Sequence, residues 1–264
     1  MAARPHAAVT TGRLAQLATV PFMRRLAPRT LFSRYAAAWL YLACVIAAEL
    51  CFAALSRHDQ VVLLHWASTS VENLEHDPVL TLVASAFFPP ESLLAWPALI
   101  ALALFGANHV LGNWRTVAVC AAAHLAGTLV SEGIVAYRVH IGAIPVADRY
   151  LLDVGPSYVV VAAIAVAVLY GPWLARAAAL ADLALLVFVG HIFAGLGQLQ
   201  VSAVGHVTAL AVGAVLGGAL TWRRRGRRRA SRQLAQPRPM AAVAPQSLVT
   251  LPSRKWRRRA TAAG

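Results

Sequence analysis

Apolar runs separated by short polar stretches set the organisation of this chain. Crossing a hydrocarbon layer ~30 Å thick takes about 20 apolar residues in a helix. Six segments approach that length: 35–55, 92–111, 114–136, 156–170, 173–193 and 200–222. The pattern predicts an all-α, polytopic membrane protein, a bundle of six transmembrane helices. The first run begins at Tyr35, too far from the start and too long for a cleaved signal peptide, and reads as a retained span. Three regions follow: a basic segment 1–34, a membrane domain 35–222, and a basic tail 223–264 that lacks periodicity and reads as disordered.

The loop between the first two spans carries its own pattern. Val61 to Trp66 reads as an amphipathic piece lying in the outer interface. Pro78 to Phe88 is apolar but too short to cross, and Pro89-Pro90 ends it because proline lacks the donor a helix needs. This predicts non-helical backbone at membrane depth, tolerated only inside protein or against a watery cavity.

Composition and charge sharpen the picture. Hydrophobic residues make up 59% of the chain and charged residues 13%, about half the quarter usual in soluble domains. The net charge of +14 sits at the two ends, where 1–34 and 223–264 hold no acid, while all ten acids lie between them. A nucleic-acid-binding domain would carry its basic patch on a folded face, so nucleic acid is not expected as a partner. Basic ends flanking the spans instead predict cytoplasmic termini touching anionic lipid, in a multi-pass protein of the cell membrane. Cys44, Cys51 and Cys120 fall in apolar segments without metal spacing, so no metal or cofactor is implied.

Two polar motifs interrupt the apolar runs: Gly155-Pro156-Ser157-Tyr158, and Gly205-His206. The fourth segment has about 15 residues, ~22 Å of helix, so one end stops within the layer. Tyr170 and Trp173 flank a tight Gly-Pro turn and pin its other end at an interface. Counted from there, Ser157 lies ~20 Å deep and His206, counted back from Trp222, ~24 Å. A hydroxyl and an imidazole at one depth form the smallest unit of nucleophilic catalysis, a serine with its base. Gly155-Pro156 starts a helix, which puts Ser157 beside unpaired backbone donors that could stabilise an oxyanion. The plainer alternatives are a capping serine and a histidine bonded to Ser202 one turn earlier. Gly205, Ala209, Gly213 and Gly217 form a small-residue face that permits close approach of another helix, and the fourth segment is the expected neighbour.

Glu49, His109, His124, Glu132, Asp182 and His191 also lie within or at the ends of spans. Buried ionisable groups are costly and expected to have partners. Interhelical hydrogen bonding is the plain reading. A proton-coupled carrier is the sharper one, opposed by the absence of an internal repeat.

On these residues the chain resembles the rhomboid family of intramembrane proteases, and more closely the actinobacterial rhomboid-like membrane proteins. Gly155-Pro156-Ser157 matches the start of the family's Gly-x-Ser-Gly motif, and His206 with Gly213 matches its sixth-span pattern. Tyr158 and Ala209 stand where the pattern has glycine. The resemblance implies a serine endopeptidase with Ser157 as nucleophile and His206 as base, cleaving a transmembrane protein substrate near the outer face. Rhomboid proteases usually add a histidine and an asparagine from the second span to the oxyanion site. Those places fall near Leu94 and Ala98, which donate no side-chain hydrogen bond, and the aromatic that often stacks on the histidine falls at Val161. An inactive rhomboid-like protein that binds transmembrane partners is therefore the alternative.

Overall fold

The structure is a computed structural model, and it describes residues 32–88 and 95–235. Among these residues the fold is all-helical, without strands. In chain order the helices are α1 (Ala36–Ala53), α2 (Arg57–Ala67), α3 (Val71–His76), α4 (Pro78–Ser85), α5 (Ala95–Leu111), α6 (Asn113–His140), α7 (Ser157–Tyr170), α8 (Trp173–Phe188) and α9 (Val201–Ala235). A 3₁₀ turn, Val146–Tyr150, lies between α6 and α7. Chain contacts separate a unit ending at Arg224 from one beginning at Arg225, and the bundle belongs to the first. The ends of the chain, 1–31 and 236–264, lie outside the described residues, as does the start of the segment expected from 92.

Among the described residues three helices are long and apolar enough to cross a membrane: Ala36–Ala53, Asn113–His140 and Val201–Arg227. Ala95–Leu111 and Ser157–Tyr170 are apolar but shorter. The surface agrees with a lipid solvent. Leu40, Leu129 and Val215 are each more than half exposed on these helices, which in water would leave large apolar patches.

The centre of the bundle is α7. Every residue from Tyr158 to Ala167 is buried, so the helix has no polar face to present. It packs against α5, α6 and α8. On its remaining side the glycines of α9 let backbones meet. A Cβ added at Gly213 would lie 2.6 Å from the carbonyl oxygen of Ala162, and one at Gly217 would lie 2.9 Å from Val166. Ala209 is fully buried, and the Tyr170 hydroxyl donates to the carbonyl of Ala214 at 2.7 Å.

The segment before Pro89 is a short helix followed by a turn, and Pro89-Pro90, expected to end it, lie outside the described residues. Pro78–Ser85 is helical, because Pro78 occupies the first turn, where its missing donor costs nothing, and Asp77 caps the Leu80 amide at 3.2 Å. The backbone leaves the helix from Ala86 to Phe88, and there the Tyr41 hydroxyl donates to the Ala86 carbonyl at 2.6 Å. The amphipathic Val61–Trp66 stretch is part of α2, capped by Ser56.

Candidate functional site

Gly155 has φ +134°, a backbone region open essentially to glycine, and its N–H donates to the carbonyl of Ser85 at 2.8 Å. This ties the start of α7 to the end of α4. Pro156 then occupies the N-cap position, and Ser157, half-buried, is the first residue of the helix.

His206 is buried in α9. Its Nδ1 lies 2.9 Å from the carbonyl oxygen of Ile192 and 3.4 Å from Ser202 Oγ. A carbonyl only accepts, so Nδ1 carries the proton and Nε2 is left as a bare acceptor. That Nε2 is buried with no hydrogen-bond partner among the described residues. The expected Ser157–His206 hydrogen bond is therefore not formed here. The Ile192 carbonyl is presented by a tight turn in which His191 has φ +48°. His191 itself is exposed, which corrects its assignment as a buried ionisable group: α8 ends at Phe188, so His191 belongs to the turn.

Tyr158, rather than Ser157, faces His206. The two rings meet edge to face with centroids 5.1 Å apart and planes at 79°. The His124 ring also lies near the tyrosine, tilted at 46° with centroids 6.0 Å apart. Gly127 of α6 and Gly205 of α9 make room for it: a Cβ at Gly127 would lie 3.1 Å from Tyr158 Cδ2, and one at Gly205 would collide with the ring and hydroxyl. The Tyr158 hydroxyl donates to Asp153, with Oδ1 at 3.1 Å and Oδ2 at 3.0 Å.

Asp153 is the hub of the loop that enters α7. Thr69 donates its hydroxyl to the Asp153 carbonyl at 2.9 Å and to Oδ2 at 3.2 Å, and its amide to the same carbonyl at 2.9 Å. The Asp153 amide donates to Ser68 Oγ at 2.9 Å. Burial pushes the Asp153 carboxyl up to about 6, and the hydrogen bonds from Tyr158 and Thr69 limit the rise.

A second serine and histidine do meet. Ser85 Oγ is 3.1 Å from His124 Nε2, which is also 3.0 Å from the carbonyl oxygen of Leu82. That carbonyl requires a proton on Nε2, so this nitrogen cannot act as a base toward Ser85. The bare Nδ1 of His124 has no partner among the described residues. This contact pins α4 to α6.

The remaining expected positions are dispersed. Leu94 lies outside the described residues, Ala98 is exposed on α5, and Val161 is fully buried in α7. Glu49, Glu132 and Asp182 are buried, and among the described residues neither carboxyl oxygen of Asp182 has a hydrogen-bond partner. His109 lies at the end of α5, bonded to the Tyr35 hydroxyl at 2.9 Å. Among the described residues no group of three His, Cys, Asp or Glu stands together to hold a metal ion. Sequence reasoning missed Asp153, Thr69 and the Ile192 carbonyl. Only Asp153 left a signal, as an acid four residues before the serine at a buried helix start.

Apolar helices with lipid-like surfaces, packed around a central helix that begins Gly-Pro-Ser, define an α-helical membrane protein. Residues 31–225 match the model of the rhomboid-like protein family, and the chain belongs to that family. No curated protein and no solved structure matches it.

Proposed function

We propose that this rhomboid-like protein holds transmembrane partners at its Ser157–His206 site without cutting them. In this reading it is a multi-pass protein of the cell membrane with six spans over 35–222, both termini cytoplasmic, and basic ends on anionic lipid. The observation that carries the reading is the absence of a Ser157–His206 hydrogen bond, with the Tyr158 ring set against the imidazole instead. Tyrosine in place of the motif's glycine supports it. So does Ala98, which contributes no donor where a rhomboid protease uses one; the loss of a single such donor typically costs about 10²–10³ in rate.

A fluorophosphonate probe tests this. Wild type and Ser157→Ala are expected to label equally, and capture of a transmembrane client is expected to survive the substitution. Labelling of wild type that disappears in both Ser157→Ala and His206→Ala would overturn it.

One observation favours the second reading, an intramembrane serine protease. His206 holds the tautomer that a general base needs, with Nδ1–H on a carbonyl and Nε2 bare. Catalytic hydrogen bonds are often long before substrate binds. Cleavage of a transmembrane substrate, lost in Ser157→Ala, distinguishes the two.

A further inference from the structure

The basic stretch at the end of α9 holds one hydroxyl in a specific setting. Ser231 follows Arg227-Arg228-Arg229-Ala230, and the pattern recurs as Arg257-Arg258-Arg259-Ala260-Thr261. No other serine or threonine in the chain has arginine at the second, third and fourth positions before it. The second copy lies outside the described residues.

Ser231 is exposed, four residues before α9 ends at Ala235, in the unit that begins at Arg225. Its hydroxyl donates to the Arg227 carbonyl at 3.0 Å. That bond lies within the helix near its end, where fraying frees the hydroxyl at little cost.

Residues 223–264 hold thirteen Lys or Arg and no acid. Attraction to anionic lipid needs only that charge, at about fivefold in affinity per cation. It does not need a hydroxyl at a fixed distance from three arginines, nor the same spacing twice. A phosphate-transferring enzyme does need it. Carboxylates in its cleft pair with arginines at set positions and so place one hydroxyl at the γ-phosphate.

We propose that Ser231 is a phosphorylation site for an arginine-directed serine kinase using ATP, and that the phosphate releases the tail from anionic lipid. The Ser231 oxygen attacks the γ-phosphorus, and the bond from that phosphorus to the β–γ bridging oxygen breaks. ADP leaves, and the hydroxyl proton passes to a carboxylate of the kinase. The new group carries about two negative charges and cancels about two of the arginines. The inference rests on the cytoplasmic placement of the tail proposed above, because ATP is supplied on that side, and not on the Ser157–His206 site.

The first test maps phosphopeptides by mass spectrometry in protein isolated from its native membranes with phosphatases inhibited. Phosphate is expected on Ser231. Arg228→Gln combined with Arg229→Gln is expected to lower its occupancy at least about tenfold, since each charge-assisted hydrogen bond lost is worth that much. For the lipid step, full-length Thr261→Ala protein in phosphatidylcholine nanodiscs is treated with an arginine-directed kinase and ATP, then floated with phosphatidylglycerol vesicles. Vesicle binding should weaken about 25-fold, the equivalent of two cations. Adding Ser231→Ala should abolish that response. Ser231 free of phosphate in the native protein, or vesicle binding unchanged once Ser231 is filled, would overturn the proposal. Cleavage of the tail by trypsin added to intact cells would overturn the cytoplasmic placement as well, whereas a protected tail without phosphate overturns the proposal alone.

Discussion

The edge-to-face contact between Tyr158 and His206, with centroids 5.1 Å apart, joins the start of α7 to α9 where a serine–histidine hydrogen bond was expected. The tyrosine also donates to Asp153. Its two roles separate by substitution. Tyr158→Phe keeps the ring but leaves the buried carboxyl short of a donor, and is expected to cost about 1–3 kcal/mol. Tyr158→Ala also leaves a cavity and should cost about 3–5 kcal/mol. Reversible unfolding in mixed micelles measures both, and equal losses would show that the hydroxyl carries the whole effect.

Gly205 and Gly133 provide a matched pair. A Cβ on Gly205 collides with the Tyr158 ring, whereas one on Gly133 meets nothing within 4 Å. Gly205→Ala is expected to destabilise by about 1–3 kcal/mol through overpacking. Gly133→Ala, in the interior of α6, is expected to stabilise by about 0.5–1 kcal/mol. The two melting temperatures should move in opposite directions.

Asp153 makes stability depend on pH. Burial raises its carboxyl from 3.8 to about 6, so the folded state binds this proton more tightly than the unfolded chain. Its contribution is therefore greatest below about pH 4, falls as pH rises to about 6, and stays low above that. The difference across the window is about 1–3 kcal/mol. Melting followed from pH 4 to 7 should show this slope in wild type, and Asp153→Asn should flatten it.

Asp182 is completely buried, and among the described residues neither carboxyl oxygen has a partner. A structural carboxyl in that position costs desolvation and returns little. Asp182→Leu is expected to leave stability unchanged or raise it by about 1–2 kcal/mol. A clear loss of stability would indicate a partner that this structure does not contain.

Much of the helical layout was legible because its signal is local. The run from Tyr35 became Ala36–Ala53, the run from Trp114 became Asn113–His140, and the short fourth segment became Ser157–Tyr170. Gly-Pro turns and apolar length suffice for that. The start of Pro78–Ser85 carried a signal of its own, since proline is accepted in the first turn of a helix and Asp77 supplies the cap.

The site was legible only in part. Ser157 and His206 were visible as polar residues in apolar runs, and Ser202 as a neighbour of His206 one turn away. The Ile192 carbonyl was not, since a backbone acceptor in a turn leaves no mark on residue type. Nor was the Ser85–His124 contact, because the two residues lie 39 positions apart on helices whose crossing the sequence does not encode locally.

By itself, then, the sequence determined a basic-ended, helical membrane protein with a Gly-Pro-Ser helix start and a distant histidine, because hydrophobic length, charge and proline are read residue by residue. The tertiary structure alone decided which side chain meets that histidine. The glycines at 127 and 205 open space for the Tyr158 ring, and Asp153 holds its hydroxyl. Those contacts depend on how three helices and a loop pack together, and no stretch of chain carries that information alone.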